Sequence, residues 1–202
     1  ILEDQQVLVI DDFYKNLDWL DNPNTMTFNK LERTEQIHFI NKSDRQMLLS
    51  QVSTLFPKTF YPSDSGWIRS NILSETEIPM AVGLHSDNPY IVLSVCLSDP
   101  PNVDEENDFG TTFYRHKYFG FKKVYDLKNS ELFLKIFNAH RNNNDMWEPW
   151  FKSGFKKNRA IIYDGSLLHK MPWPVFGTDL KTSRLLQIFN FRIGKDQRLY
   201  ER

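Results

Sequence analysis

Cysteine, net charge and long apolar runs are all scarce in this 202-residue sequence. Its single cysteine, Cys96, excludes an internal disulfide and a zinc site built from cysteines. The formal net charge of -1 gives no global attraction to polyanions, so a nucleic-acid partner is not favoured. No stretch reaches the roughly 18 apolar residues of a membrane span, and the first residues lack the features of a signal peptide. The sequence therefore predicts a cytoplasmic protein with no membrane partner.

Aromatic residues, in contrast, are plentiful: there are 16 Phe, 8 Tyr and 5 Trp. Together with a hydrophobic share of 40%, they allow a sizeable core and favour β-sheet surfaces. No internal repeat or Gly/Ser-rich linker divides the chain. Because this length fits one domain, we expect a single domain over residues 1–202 with its β core at about 66–193.

Short apolar and aromatic runs separated by turn residues dominate the chain from residue 66 onward. They favour an antiparallel sandwich or barrel, because the regular helices that must connect parallel strands are missing. The expected strands in this part are 66–73, 80–87, 90–98, 110–116, 159–165, 167–171 and 184–193. Two earlier strands are expected, at 7–10 and 36–40.

Three helices complete the expected mainly β (α+β) fold. Two N-terminal helices, over 13–20 and over 44–56 after the N-cap Ser43, should pack on the sheet. The third, over 130–140 with Ser130 as its cap, should be a helical insertion between strands.

The stretch "GLHSDN" contains a candidate pair of metal ligands, His85 and Asp87. Residues two apart on a strand point to the same face, with Cα atoms about 7 Å apart, so both side chains can reach one ion. His-x-Asp also arises by chance, so a third ligand is needed to give the pair weight. Two histidines and one carboxylate would leave three positions of an octahedral ion open.

Four other histidines are candidates for the third metal ligand. His38 lies in an early strand, His116 is expected at a sheet edge, and His140 suits the negative end of the helix dipole. His169 remains, on a short strand after "AIIYDGS". Taken alone, His169 is better explained as a hydrogen-bonded core or surface histidine, because most histidines are not metal ligands.

Arg184 opens the apolar strand "RLLQIFNF", 15 residues beyond His169. A buried guanidinium needs a carboxylate partner, and nothing in the local sequence supplies one. The alternative is an arginine at the mouth of the strand that is solvated.

Taken in order, these motifs resemble the Fe(II)- and 2-oxoglutarate-dependent dioxygenases. The motifs are "HSD" at 85–87, "GTTFYRH" at 110–116, "NRAIIYDGSLLHK" at 158–170 and "RLLQIFNF" at 184–191. They look closest to a microbial branch with prolyl-hydroxylase-like topology, and "VLVIDDFY" near the N-terminus is also similar to the start of such domains. The resemblance implies a double-stranded β-helix (jelly roll, cupin-like). "FGTT" departs from the pair of glycines that many members have, and Phe109 takes the place of the first.

The resemblance also implies roles for particular residues. His85, Asp87 and His169 would hold Fe(II) as the catalytic centre, and Arg184 would bind the distal carboxylate of 2-oxoglutarate. With O2, such a centre hydroxylates a small-molecule or peptide substrate and forms succinate and CO2. Candidates for the substrate pocket, each also explained by ordinary packing, are Trp67, Arg69, Asn71, Tyr114 and Trp173.

Three other functions compete with this interpretation. A non-catalytic metal-binding jelly roll would need the three ligands but has no use for Arg184. A zinc hydrolase could use the same ligands, but no second carboxylate stands beside them as a general base. A nucleic-acid demethylase could use the alternating basic and aromatic residues of 115–128, although an acidic stretch precedes them.

Overall fold

Ten β-strands dominate the part of the chain that the computed structural model describes. That part comprises residues 7–21, 26–30, 35–40, 60–71, 83–87, 91–101, 109–124, 126–170, 176–177 and 182–193. The strands are β1 (Val7–Ile10), β2 (Met26–Lys30), β3 (Glu35–Ile40), β4 (Phe60–Asn71), β5 (Ile91–Cys96), β6 (Thr112–His116), β7 (Trp147–Lys152), β8 (Ala160–Asp164), β9 (His169–Lys170) and β10 (Arg184–Ile193).

The strands form two antiparallel sheets. Seven strands make the larger sheet in the order β1-β8-β5-β10-β4-β3-β2, and three make the smaller sheet in the order β7-β6-β9. Several neighbouring pairs, such as β1 with β8 and β5 with β10, join distant parts of the chain, as in a jelly roll, whereas β2 and β3 follow each other in sequence. The described structure is mostly β with little helix, as the aromatic and β-branched runs predict.

The two sheets face each other across an aromatic core. Val92 of β5 and Ile161 of β8 pack against Phe113 of β6, which is fully buried, and against Phe151 of β7. Because successive strand residues point to opposite faces, Leu93 points away from this core. We call the side of the larger sheet that carries Val92 the inner face.

The opposite, outer face of the larger sheet is covered by the N-terminal segment. Leu93 and Phe189 belong to an apolar cluster there with Tyr14, and Leu8, Ile10, Phe13, Leu17 and Leu20 pack against it. The Tyr14 hydroxyl donates a 2.7 Å hydrogen bond to Oε1 of the buried Gln187.

One α-helix, α1 (Ser130–His140), lies between β6 and β7, as predicted. Its buried residue Phe133 packs on Phe121, with ring centroids 5.2 Å apart. The cap is Asn129 rather than the expected Ser130: its backbone is extended and its side chain accepts a 3.0 Å bond from the Leu132 amide.

The expected helix over 13–20 is wrong, and only a 3-10 turn at Asp18–Asp21 appears there. Asn158 competes with a helix for the Tyr14 carbonyl, because its Nδ2 donates a 2.8 Å hydrogen bond to this oxygen, which a helix would pair with the amide of Asp18. The expected helix over 44–56 lies outside the described residues.

Two expectations about strands also need correction. The expected strand over 80–87 is reduced, in its described part, to an isolated bridge at His85. The strand β7 (Trp147–Lys152) went unpredicted, because Pro149 and the charged residues around it obscure its pattern. Within the described ranges, no helix has the length and apolar character to cross a membrane.

Candidate metal centre

His85 and His169 lie directly opposite each other although 84 residues separate them. The amide of each donates to the carbonyl of the other, at 3.0 and 2.9 Å. Opposed residues of an antiparallel pair point to the same side, and the two imidazole centroids are 4.5 Å apart. Asp87 is held beside them by its amide, which donates to the Gly165 carbonyl at 2.8 Å.

Both imidazoles are held by the same kind of hydrogen bond, from Nδ1 to a backbone carbonyl. Nδ1 of His85 lies 2.8 Å from the Gly83 carbonyl oxygen, and Nδ1 of His169 lies 2.8 Å from that of Leu167. A carbonyl can only accept, so each Nδ1 carries the hydrogen and each Nε2 keeps its lone pair. Bonds of this kind are how proteins fix the tautomer of a metal-binding histidine.

The Asp87 carboxylate lies between the two Nε2 atoms. Its Oδ1 is 3.7 Å from Nε2 of His85, and its Oδ2 is 3.2 Å from Nε2 of His169. One ligand atom from each of the three residues lies within 4.8 Å of the others, so the group could hold a metal ion. Adjacent ligands of an octahedral ion with bonds of about 2.1 Å are about 3.0 Å apart, close to these separations. Two imidazoles and one carboxylate are the donor set of an open Fe(II) site.

Three neighbouring groups set the charge of this carboxylate. Burial raises the pKa of Asp87, but the hydrogen bond and charge of His169 and the charge of His85, both in their protonated forms, and the Tyr163 hydrogen bond together lower it to about 2. The Tyr163 hydroxyl donates a 2.9 Å bond to Oδ2 of Asp87. Burial and the charge of Asp87 hold the pKa of Tyr163 well above its ordinary value. Asp87 is therefore an anion, and Tyr163 is a neutral donor.

The turn at 164–167 between β8 and β9 is tied together by Asp164. This carboxylate accepts from the amide and hydroxyl of Ser166 at 2.9 and 2.7 Å, and from Nζ of Lys123 at 2.9 Å. Hydrogen bonds and the lysine charge outweigh burial and lower the pKa of Asp164. The turn supplies the carbonyls that hold the Asp87 amide and the His169 ring, so its shape sets the positions of two of the three candidate ligands.

Arg184 is buried, with 2% of its surface exposed, which contradicts a solvated position at the strand mouth. Leu186, two residues on, packs with Phe155 on the inner face, and the guanidinium lies 5.0 Å from the Phe155 ring centre. Nε donates to the Phe109 carbonyl at 3.0 Å. A buried cation therefore stands on the sheet face that also carries Tyr163.

Tyr114 lies on the side of β6 away from Phe113. It packs with the cluster that contains Leu84 and Leu168, and the Lys170 ammonium lies 5.1 Å from its ring centre. Phe113, on the other side of the strand, contacts His169 at 5.8 Å between ring centroids. The structure therefore does not bring Tyr114 to the side of the sheet that holds the metal group.

The other predicted pocket residues are placed only through the backbone of β4. Trp67, Arg69 and Asn71 pair with Ile188, Leu186 and Arg184 of β10, respectively. This register puts their backbone next to the strand that carries Arg184. Trp173 lies outside the described residues. The pocket role of all four stays a prediction.

His116 is not an edge residue, as the sequence led us to expect. It lies on β6, the central strand of the smaller sheet, and is fully buried. Its Nε2 is 2.9 Å from Nδ1 of His140 at the end of α1, so these two histidines bind each other rather than join the metal group. His38 lies on β3 at the far side of the larger sheet.

Solved structures share the fold of this chain, although the sequence matches no protein-family model and no curated protein. A prolyl hydroxylase from Trichoplax adhaerens, in complex with a hypoxia inducible factor peptide fragment, is 11% identical with a TM-score of 0.52, over 100% of this chain and 89% of that one. HygX from Streptomyces hygroscopicus, with nickel and 2-oxoglutarate bound, is 10% identical with a TM-score of 0.53, over 94% of this chain and 83% of its own. HygX with hygromycin B also bound gives 9% and 0.51. At these identities the likeness shows the fold.

Proposed function

We propose that this chain is an Fe(II)- and 2-oxoglutarate-dependent oxygenase of the hydroxylase type. One observation carries the proposal: Nε2 of His85, Nε2 of His169 and the Asp87 carboxylate converge beside an inner face that also holds the buried Arg184. The fold of a prolyl hydroxylase and of HygX, the latter with 2-oxoglutarate and nickel bound, supports it. The four ordered sequence motifs support it independently.

In this proposal His85, Asp87 and His169 hold Fe(II), and Arg184 binds the distal carboxylate of 2-oxoglutarate. When bound, the iron supplies the O2 chemistry that couples decarboxylation of 2-oxoglutarate to hydroxylation of a C–H bond, with succinate and CO2 as products. Asp87 contributes one negative charge and the two neutral imidazoles none, so the loaded site keeps a net positive charge that attracts an anionic chelator. Arg184 supplies a planar, permanent cation suited to two-point binding of a carboxylate.

The residues around the site orient the cosubstrate and exclude water. Phe113 is fully buried and contacts Tyr163 edge-on and His169 at a tilt, with ring centroids 5.1 and 5.8 Å away. The Arg184 guanidinium lies over the Phe155 ring, 5.0 Å from its centre, in a cation–π contact that helps to keep the guanidinium in place. A dry, low-dielectric setting of this kind strengthens the attraction between Arg184 and a bound dicarboxylate.

The substrate class stays open between a peptide side chain and a small molecule. The prolyl hydroxylase neighbour is bound to a peptide fragment, and HygX is bound to hygromycin B. The His85 side chain is 43% exposed, so the metal group faces solvent on that side, where either type of substrate could approach. We further propose a cytoplasmic protein with a single oxygenase domain over 1–202.

The direct test is turnover without the substrate. Purified protein with Fe(II), ascorbate and 2-oxoglutarate should form succinate slowly in an uncoupled reaction, and a His85→Ala, Asp87→Ala double variant should not. Equal succinate formation by the two proteins would contradict the proposal. Metal and 2-oxoglutarate binding without any turnover would instead indicate the non-catalytic jelly-roll alternative.

A further inference from the structure

Among the described residues, Tyr163 is the one whose side-chain hydroxyl donates a hydrogen bond to Asp87, the candidate carboxylate ligand of the metal. It stands on β8, between β1 and β5 in the larger sheet, and 4% of its surface is exposed. Its hydroxyl donates to Oδ2 of Asp87 at 2.9 Å. The other carboxylate oxygen, Oδ1, faces Nε2 of His85.

The Tyr163 ring has little freedom to turn away. Phe113 meets it edge-on at 5.1 Å and His169 meets it edge-on at 5.2 Å. Val92, Ile161 and Leu167 belong to the same buried cluster. A side chain on a paired strand with packing on all sides holds its polar atom within a narrow range of positions. The hydroxyl therefore acts as a fixed point for a carboxylate that itself lies outside any regular strand.

A carboxylate next to a metal ion can bind through one oxygen or through both. Binding through both oxygens would use one of the positions that a chelating 2-oxo acid and O2 need. A hydrogen bond that engages a lone pair of one carboxylate oxygen favours binding of the metal through a single oxygen. Groups that hold metal ligands in this way commonly alter metal affinity by 10–100-fold when they are removed.

Resting on the proposed function, we propose that Tyr163 is a positioning residue that acts through Asp87. Its hydroxyl engages Oδ2, fixes the orientation of the carboxylate and keeps it bound through a single oxygen. The hydrogen bond thereby holds the side chain of Asp87, which lies in the loop at 83–87, and keeps the other positions of the metal open for the cosubstrates.

The test removes the hydroxyl and keeps the ring. Tyr163→Phe is compared with wild type by anaerobic titration with Co(II), followed through the visible absorption bands of the bound ion, whose intensity reports its coordination number. We expect Tyr163→Phe to weaken Co(II) binding by about 10–100-fold and to change the band intensity. The response of those bands to added 2-oxoglutarate should shrink as well.

Tyr14→Phe is the matched control. It also deletes a buried hydroxyl that donates to a side-chain oxygen, that of Gln187, but on the outer face of the same sheet. Thermal unfolding of the metal-free proteins should show comparable losses for the two variants, whereas Co(II) affinity and spectrum should change only in Tyr163→Phe. This separates a role toward the metal from an ordinary role in folding.

Two failures can be told apart. If wild type binds Co(II) and 2-oxoglutarate but Tyr163→Phe keeps its affinity and spectrum, the positioning role is overturned and the proposed function stands. If wild type binds no Co(II) while folded, the proposed function falls and the positioning role falls with it.

Discussion

Nε of Arg184 donates a 3.0 Å hydrogen bond to the carbonyl oxygen of Phe109, across 75 residues of sequence. Phe109 directly precedes the motif "GTTFYRH" and Arg184 opens the motif "RLLQIFNF", so this bond links the regions of two of the four sequence motifs. It uses one donor of a guanidinium that has five. The bond helps to set the direction of the side chain.

Replacing Arg184 by methionine should weaken 2-oxoglutarate binding and leave metal binding nearly intact. Methionine keeps most of the volume but removes the charge and the donors. A hydrogen bond to a charged group contributes about 1.5–3 kcal/mol, so the Kd for 2-oxoglutarate should rise at least tenfold. The measurement is an anaerobic titration of the Fe(II)-loaded protein with 2-oxoglutarate.

Arg115→Met is the control for this change. Arg115 is exposed and paired with Glu148 on the smaller sheet, so its loss should leave the Kd unchanged. An Arg184→Met protein with the wild-type Kd would assign the distal carboxylate to another cation, such as Lys170 or Arg192.

The glycine of the same motif, Gly110, lies where the backbone leaves no room for a side chain. A Cβ at this position would lie 2.5 Å from backbone atoms of Gly154, and backbone cannot move aside as a flexible side chain can. Gly110→Ala should therefore destabilise the protein by about 1–3 kcal/mol, as overpacking does. Because the Phe109 carbonyl directly precedes Gly110, the Kd for 2-oxoglutarate should rise as well. Thermal unfolding and the same titration measure the two effects.

Gly120→Ala separates these effects from those of any glycine replacement. Gly120 has a φ of +70°, so alanine is strained there, but nothing lies within 4 Å of the added Cβ. This variant should lose some stability and keep the wild-type Kd for 2-oxoglutarate. A normal Kd in Gly110→Ala would show that the Phe109 carbonyl does not position Arg184.

The features that could be predicted from the sequence are those with local causes. Helix α1 (Ser130–His140) and strand β1 (Val7–Ile10) have the predicted bounds, because the apolar period and the flanking turn residues act within one element. The strands over Ile91–Cys96 and Ala160–Asp164 also fall inside the predicted runs. The ordered motifs pointed to His169 as the partner of His85, a pairing that no local pattern contains.

The features that escaped prediction depend on contacts between distant residues. The Tyr163 bond to Asp87 spans 76 residues, and nothing in "AIIYDG" distinguishes this tyrosine from a core residue. Asn158, 144 residues away, occupies the Tyr14 carbonyl that the helix expected at 13–20 would use. His116 sits next to Lys117 and looks exposed in the sequence, yet the fold buries it against α1.

The ion pair between Lys123 and Asp164 should affect metal binding without touching the metal. Asp164→Asn removes the charge that Lys123 binds at 2.9 Å and disturbs the bonds to Ser166, which loosens the turn at 164–167. We expect a loss of about 1–3 kcal/mol in the free energy of unfolding and a weaker affinity for Co(II). Urea unfolding and metal titration provide the two values. The control is Glu131→Gln, which breaks the exposed pair with Lys135 on α1 and should change neither the unfolding free energy nor the Co(II) affinity. An unaltered Co(II) affinity in Asp164→Asn would contradict a role for the turn in placing the ligands.

Acid should weaken the attachment of α1 through the pair of His116 and His140. Nδ1 of His116 accepts from the amides of Tyr118 and Phe119 at 3.2 and 3.4 Å, so Nε2 carries the hydrogen that is donated to Nδ1 of His140. Burial first, and then the charge of His140, lower the pKa of His116 below 6.5. The unfolded chain therefore takes up this proton first. The free energy of unfolding should be constant above pH 6.5 and should fall as the pH drops from there to the pKa of the folded state, by at most about 1.4 kcal/mol per pH unit.

His116→Gln isolates this effect, because glutamine keeps an acceptor and a donor but cannot titrate. The measurement is the difference in unfolding free energy between wild type and this variant, followed by urea unfolding from pH 8 to pH 5. Parallel pH profiles for the two proteins would show that His116 has the same pKa in the folded and unfolded states and would contradict this prediction.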